Sequence, residues 1–383
     1  MFGVFHHFEL AHQLHRRGHL RRIYSTWPWA RLKREGIPRE LVRTFPLVHT
    51  ADYLLRQTPL YSAALDGHFN QATSLTFDAW TRRIIEPCDA FIAISGAGLK
   101  TGPKVQAAGG MFICDRGSTH QRFQNEVLAE EHRRWHVPYI EPPEHILRRE
   151  EAIYEAADAI TVPSTAARRS FLQKGIEPGK LHVIPYGVRL DRFQPTGSPA
   201  PENFDVLFAG HVSLRKGIPY LLQAFSMLSH PRKQLTIVGA VQDDLRELLG
   251  TLPTEGVLFA GVLSQPQLAE LMSRSHVLAL PSIEEGLALV QGQAMACGCP
   301  VIGTTATGAE DLFCDGREGF IVPERDAAAL AQKLQQLADD PALRSAMSAA
   351  ALERVKALGG WDTYGDRWDA LLHSLTEKPV DHD

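Results

Sequence analysis

The chain has 383 residues, 44% hydrophobic and 22% charged, with a formal net charge of −4 at pH 7. That size and balance suit a soluble globular protein of two α/β domains and argue against a general nucleic-acid binder. No run is long and apolar enough to span a membrane, and five cysteines without zinc or disulfide spacing point to a reducing cytosol.

The first residues show no charged, apolar, small-residue leader, so secretion is not expected. Residues 8–19 read as a helix, with little sequence ahead of it for a strand. Between Arg16 and Arg43 lie nine basic residues and two tryptophans, Trp27 and Trp29, against only Glu35 and Glu40. The ordinary reading is a solvated helix face. A contact with anionic lipid headgroups, or with an anionic acceptor, fits the same residues. Residues 90–96 and 110–117 read as two strands ending in polar loops. Residues 194–201, rich in Pro, Gly and Ser, read as a linker.

The carboxyl half alternates cleanly. Strands are expected at 206–209, 234–238, 257–260 and 277–280, and helices at 218–228, 243–252 and 266–275. Alternation at these lengths implies βα units and a parallel, doubly wound sheet. Three of the strands end in Gly210, Gly239 and Gly261, where backbone turns sharply or passes close to a ligand. An amphipathic helix follows at 327–337.

The most informative stretch is 281–304, PSIEEGLALVQGQAMACGCPVIGT. After the strand come Glu284, Glu285 and Gly286, then a helical run to Ala296 that Gly298 and Pro300 close. An acid thus stands at the carboxyl end of a parallel strand, where open α/β sheets bind ligands. Glu285, Leu289 and Gln293 recur every four residues and are expected on one helix face. Eight residues of helix rise about 12 Å, enough for Glu285 to hold a sugar while Gln293 reaches a ribose. The helix start at Gly286 and Leu287 would offer N–H groups to a diphosphate. The plain alternative makes Glu285 a cap and Gln293 an ordinary helical residue.

The segment resembles the donor-site signature of the retaining family-4 glycosyltransferases: PS-x-x-E-G-F-G-L, a second Glu, then A-M-A-C-G-x-P-V-I. Pro281, Ser282, Glu285, Gly286, Leu289, Ala294, Met295, Ala296, Cys297, Gly298, Pro300, Val301 and Ile302 match. Ala288 stands for the second Gly and Gln293 for the second Glu. Residues 210–217, GHVSLRKG, resemble the family's G-R-x-x-x-x-K-G loop, whose cations bind the donor diphosphate. Lys216 and Gly217 match; His211 stands for Arg, and Arg215 supplies charge if it points inward. Residues 156–164 resemble the last strand of the family's first domain. Residues 184–188, with Tyr186 for Asn, resemble its interdomain segment. Arg17-Gly18-His19 matches the R-G-H after the first helix, and Gly3 would be a remnant of the preceding turn facing the donor phosphates. Either the first strand is very short or it lies upstream. His6 and His7 then read as helix-start residues. Many relatives carry a His near the reacting sugar carbon after the strand at 110–117. This chain has Asp115, Arg116 and His120 there, facing the cleft if the register holds, or forming a surface-loop salt bridge.

The resemblance implies the GT-B fold, two Rossmann-like doubly wound parallel-sheet domains facing a cleft. The expected division is an acceptor-side domain at 1–190, a nucleotide-sugar domain at 191–359, and a helix at 360–383 crossing back to the first. It implies a hexosyltransferase moving sugar from a nucleotide diphosphate donor to a glycan or lipid-linked acceptor hydroxyl with retention, without metal or other cofactor. Catalytic candidates are Glu285, Lys216, Asp115 and His120. Donor-binding candidates are Gly3, Gly210, His211, Arg215, Lys216, Gly239, Gly261, Glu285, Gly286, Leu287, Ala288, Leu289 and Gln293. The expected setting is the cytoplasm, with peripheral contact on the inner membrane face. Two alternatives are kept: a non-catalytic nucleotide-sugar binder, and an epimerase or a pyridoxal-dependent phosphorylase on the same fold.

Overall fold

A computed structural model describes residues 6–55, 58 and 63–376. In the carboxyl lobe, six short apolar runs form strands: β7 (Phe204–Ala209), β8 (Lys233–Val238), β9 (Val257–Gly261), β10 (Val277–Leu280), β11 (Val301–Thr304) and β12 (Gly319–Val322). They are preceded in the chain by β1 (Ile23–Ser25), β2 (Val42–Thr44), β3 (Ala90–Ile94), β4 (Met111–Asp115), β5 (Ala159–Val162) and β6 (Leu181–Val183). Every pairing among them is parallel. Residues of β10 and β11 are buried throughout, as expected of parallel strands covered by helices on both faces.

The carboxyl-lobe sheet has the spatial order β9-β8-β7-β10-β11-β12. This is the doubly wound order, whose direction reverses between β7 and β10; ligands bind in the crevice outside the strand ends at such a reversal. The loops leaving β7 and β10 are residues 210–217 and 281–288, so the topology brings together the two segments singled out by their residues.

The amino lobe departs from a single doubly wound sheet. Four strands run β3-β4-β5-β6, and β1 and β2 form a separate pair. The outer edges of β1 and β3 line one cavity of about 690 Å³, together with Leu10, Leu14, Phe77 and Ile85. Residues 16–43 are not one helix face: they comprise a helix end, β1, short helical turns and the start of β2. Several of their cations have protein partners. Arg16 lies 2.6 Å from Asp362, Arg21 and Arg22 meet Glu86, and the Arg31 guanidinium covers the Trp27 ring at 3.7 Å.

The two lobes share one continuous hydrophobic core. Leu10, Ile113 and Ala159 of the first lobe join Tyr186, Met295, Cys297, Tyr364 and Trp368. The helix Trp361–Thr376 lies against the helix His6–Arg16, where Gln13 Nε2 donates to Asp362 at 3.1 Å. Gly365 permits that approach, since a Cβ there would meet Arg17 and Gln13 at 2.6 Å. Among the described residues no helix is long and apolar enough to cross a membrane.

Candidate functional site

The loop after β7 turns at Gly217, whose φ of +67° suits glycine. A Cβ there would also sit on the Pro281 carbonyl oxygen. This contact stitches the β7 loop to the β10 loop, and Ile283 N–H adds a 2.9 Å bond to Arg215 O. The result is a buried charge cluster. Lys216 Nζ donates to Glu285 Oε1, and Ser282 Oγ donates to the same oxygen at 3.0 Å. Arg215 Nη1 lies 3.3 Å from Glu285 Oε2 and 3.2 Å from Glu284 Oε2. Lys216 and Glu285 are 8% and 6% exposed, so their pairing is largely shielded from water. Arg215 therefore does point inward.

Glu285 is not on the helix. The helix begins at Leu289, with Ala288 as its N-cap residue, so Glu285, Gly286 and Leu287 belong to the loop. Gln293 lies on the helix, partly exposed. The loop escapes helical form because its backbone is claimed from outside. Ile283 N–H bonds Arg215, Gly286 O accepts from Ser164 Oγ, and Ala288 N–H reaches Thr307 O at 3.3 Å. The N–H groups of the helix start accordingly begin at Leu289, three residues beyond the expected start at Gly286.

Glu284, seen in the sequence but given no role, joins the lobes. Its Oε1 accepts from Ser118 Oγ at 2.8 Å and Thr119 Oγ1 at 2.6 Å, and its Oε2 from Gln124 Nε2 at 2.8 Å. All three donors belong to the first lobe. Burial pushes the Glu284 carboxyl up, but Arg215 and these hydrogen bonds outweigh it and hold the group below the usual carboxylate range. Beside it, Gly286 lets the backbone of Gly117 and Ser118 pack directly on the donor-side loop, where a Cβ would collide.

Asp115 stands at the carboxyl end of β4, buried, with His6 Nε2 and His7 Nε2 each 2.9 Å from its Oδ2. Thr161 Oγ1 donates to Oδ1 at 2.7 Å. Burial pushes the Asp115 carboxyl up, yet the two imidazoles outweigh it and hold the carboxyl well below its ordinary range. Burial beside His6 brings His7 down to about 4. Both histidines open a helix, as their position suggested, but their rings meet Asp115. Tyr186 lies against His6 with ring centroids 4.5 Å apart, and a Cβ on Gly117 would come within 3.2 Å of His6 Cε1. The Asp115 cluster thus sits immediately behind the loop that touches Gly286.

His120 is a correction. It does not face the cleft but caps the helix Gln121–Arg134, with Nδ1 accepting from Arg122 N–H at 3.2 Å. Its ring packs on Tyr154 and Phe171, with centroids 5.0 and 5.1 Å away. The chain turns into the helix at this residue, which aims the ring into the first-lobe core. Arg116 is no surface salt bridge either. Its guanidinium is turned into the 115–124 loop, donating to Thr119 O at 2.9 Å and Ser95 Oγ at 3.0 Å.

His211 is exposed, with Nδ1 3.3 Å from Gln242 Nε2. Gly210 and Gly239 end adjacent strands and touch backbone to backbone; a Cβ on Gly239 would strike the Gly210 carbonyl. Gly261 ends β9 at φ +67° with open space beside it. Leu287 and Ala288 are buried and Leu289 is partly so. Gly3 lies outside the described residues.

Residues 191–354 match the family model Glycosyl transferases group 1, and residues 118–192 match Glycosyltransferase Family 4. A D-inositol 3-phosphate glycosyltransferase of Streptomyces avermitilis is 32% identical over 268 residues, covering 64% of this chain and 56% of the relative. One from Streptomyces scabiei is 34% identical over 239 residues, covering 56% and 53%. The chain therefore spans about half the length of these relatives. Among solved structures, sucrose-phosphate synthase from Thermosynechococcus elongatus aligns with a TM-score of 0.66 and 25% identity over 83% of this chain and 81% of that one. Anabaena HepE, solved with UDP, aligns with a TM-score of 0.65 over 96% of both chains; its 19% identity speaks to the fold alone.

Proposed function

We propose that this chain, which belongs to the family-4 (group 1) glycosyltransferases and has their GT-B fold, moves a hexose from a nucleotide diphosphate sugar to an acceptor hydroxyl with retention of anomeric configuration. The observation that carries the reading is the convergence of Lys216, Arg215 and Glu285 at the sheet's reversal point. Two cations at one place suit a leaving diphosphate, and an adjoining carboxylate suits sugar hydroxyls. The comparisons support it: relatives are sugar transferases by name, and HepE was solved with UDP and with UDP-glucose.

In this mechanism the chain supplies position and charge. Lys216 and Arg215 stabilise negative charge growing on the diphosphate as the sugar bond breaks, in a shielded site where such interactions are strong. The N–H groups at Leu289–Val290, the first turn of the helix, add donors to the same phosphates. Glu285, held by Lys216 and Ser282, orients the sugar, and Gln293 bonds the ribose as a neutral donor and acceptor. The acceptor hydroxyl passes its proton to the departing phosphate on the same face. Donor chemistry of this kind runs on protein cations without a metal. The acceptor enters from the first lobe across the Gly117–Gly286 contact, making residues 1–190 the acceptor side and 191–359 the donor side.

Contact with an anionic membrane surface belongs to the same reading and suits a lipid-linked acceptor at the cytoplasmic face. Leu47, Tyr53 and Leu54 are 69%, 50% and 58% exposed on a helix that follows the basic segment. Co-sedimentation with anionic but not neutral vesicles tests it.

The test of the main reading is a thermal-shift screen against UDP, GDP and ADP sugars, followed by turnover with candidate acceptors. Stabilisation by one nucleotide class with transfer supports it. Stabilisation without turnover favours a binder, donor epimerisation without acceptor an epimerase, and a pyridoxal absorbance a phosphorylase.

A further inference from the structure

The cluster of His6, His7 and Asp115 is more than a helix-start contact. Its three donor atoms lie within 4.8 Å of one another, and the residues are 6%, 6% and 4% exposed. The two contacts to Asp115 Oδ2 differ in kind. His6 Nε2 meets hydrogen-bond geometry at 2.9 Å, whereas His7 Nε2 stands equally near without such alignment. Among the described residues, His7 Nδ1 meets no partner in hydrogen-bond geometry and His7 Nε2 has only its close approach to Asp115, although the side chain is buried. Two imidazole nitrogens and a carboxylate oxygen thus converge on one buried point.

Coordination chemistry supplies an occupant for that point. A first-row divalent ion takes imidazole nitrogen and carboxylate oxygen at about 2.0–2.2 Å, which puts neighbouring ligands about 3–3.5 Å apart; each imidazole nitrogen lies 2.9 Å from Asp115 Oδ2, and all three atoms lie within 4.8 Å of one another. Two imidazoles and one carboxylate form a donor set for zinc, cobalt, iron or manganese, with further positions left open. An outer partner is also in place. Thr161 Oγ1 holds the second Asp115 oxygen at 2.7 Å, the kind of contact that fixes a ligating carboxylate.

We propose that His6, His7 and Asp115 bind one first-row divalent cation through both Nε2 atoms and Oδ2. The ion ties the start of the first helix to the end of β4 and so fixes the Gly117 loop that meets Gly286. It stands apart from the donor diphosphate, which Lys216 and Arg215 serve, and the inference does not depend on the transfer reaction.

The test is titration of the metal-stripped full-length protein with Co²⁺ and with Zn²⁺, read by calorimetry and by visible cobalt absorption. The expected result is one equivalent bound, with visible absorption of nitrogen- and oxygen-ligated cobalt. His7→Gln and Asp115→Asn should each weaken binding more than tenfold, and Thr161→Val by about tenfold. His19, Asp369 and His373 form a second, more exposed group of donors, so the double variant His19→Gln, His373→Gln is the control and should leave affinity unchanged. Absence of saturable binding, binding indifferent to His7→Gln, or binding lost in the control variant would overturn the proposal. Should Asp115→Asn fail to fold, His7→Gln decides.

Discussion

Lys216 and Glu285, 69 residues apart in the chain, meet as a buried ion pair at the mouth of the carboxyl-lobe sheet. One closes the loop after β7, the other lies in the loop after β10, and those two strands are neighbours at the sheet's reversal. Removing Glu285 takes away the carboxylate that Lys216 meets, whereas removing Lys216 leaves Glu285 with Arg215 and Ser282. Glu285→Ala is expected to lower kcat by about 10²–10³, the range for loss of a group that organises charge in a transition state, while nucleotide binding is largely kept. Steady-state kinetics with a fixed donor checks this; unchanged kcat would remove Glu285 from the chemistry.

Glu284 should behave differently, because its partners lie on the other lobe. Glu284→Ala leaves Arg215 short of one carboxylate and Ser118, Thr119 and Gln124 without their acceptor. The expected loss of stability is about 3 kcal/mol, read by urea denaturation. Glu284→Gln keeps the shape and should lose less.

Gly286→Ala tests the contact between lobes. The added methyl would collide with the Gly117 backbone, so the lobes must part slightly. The expected outcome is a folded protein with impaired transfer and nearly normal UDP binding, seen by comparing calorimetry with turnover. Equal transfer by wild type and variant would show that the lobes need not touch there.

The sequence carried the carboxyl lobe well for a physical reason. Its strands are mostly apolar runs of four to six residues, several ended by Gly. Three things were less visible. The strands β1 and β2 have three residues each, too few to show a period. The 281–288 loop has helix-forming residues, but Arg215, Ser164 and Thr307 claim its backbone, and such tertiary bonds override propensity. His120 lies in the segment expected at the cleft, yet capping turns it inward. Glu284 differs from Glu285 only through what the other lobe presents, and one stretch of sequence does not contain that.

Acid sensitivity follows from buried imidazoles. Burial brings His120 and His276 down to about 4, whereas an unfolded histidine titrates at about 6.5. Between those values the unfolded state binds more protons, so stability falls as pH drops from about 6.5 toward 4. Glu284, also depressed when folded, adds a loss of the same sign once pH falls below the ordinary glutamate range. Thermal unfolding across pH 4–8 should show this slope, and His120→Asn, which keeps an N-cap, should flatten its upper part.

Gln293→Glu restores a carboxylate at a partly exposed helical position. Donor affinity should be kept or improved. Loss of donor binding in this variant would move the ribose away from Gln293.

The most direct measurement is calorimetric titration of UDP, GDP and ADP into wild type, Lys216→Ala and His7→Gln. One nucleotide should bind wild type at a single site, with affinity at least tenfold weaker in Lys216→Ala and unchanged in His7→Gln. Equal affinity in wild type and Lys216→Ala would contradict a donor site built on this lysine.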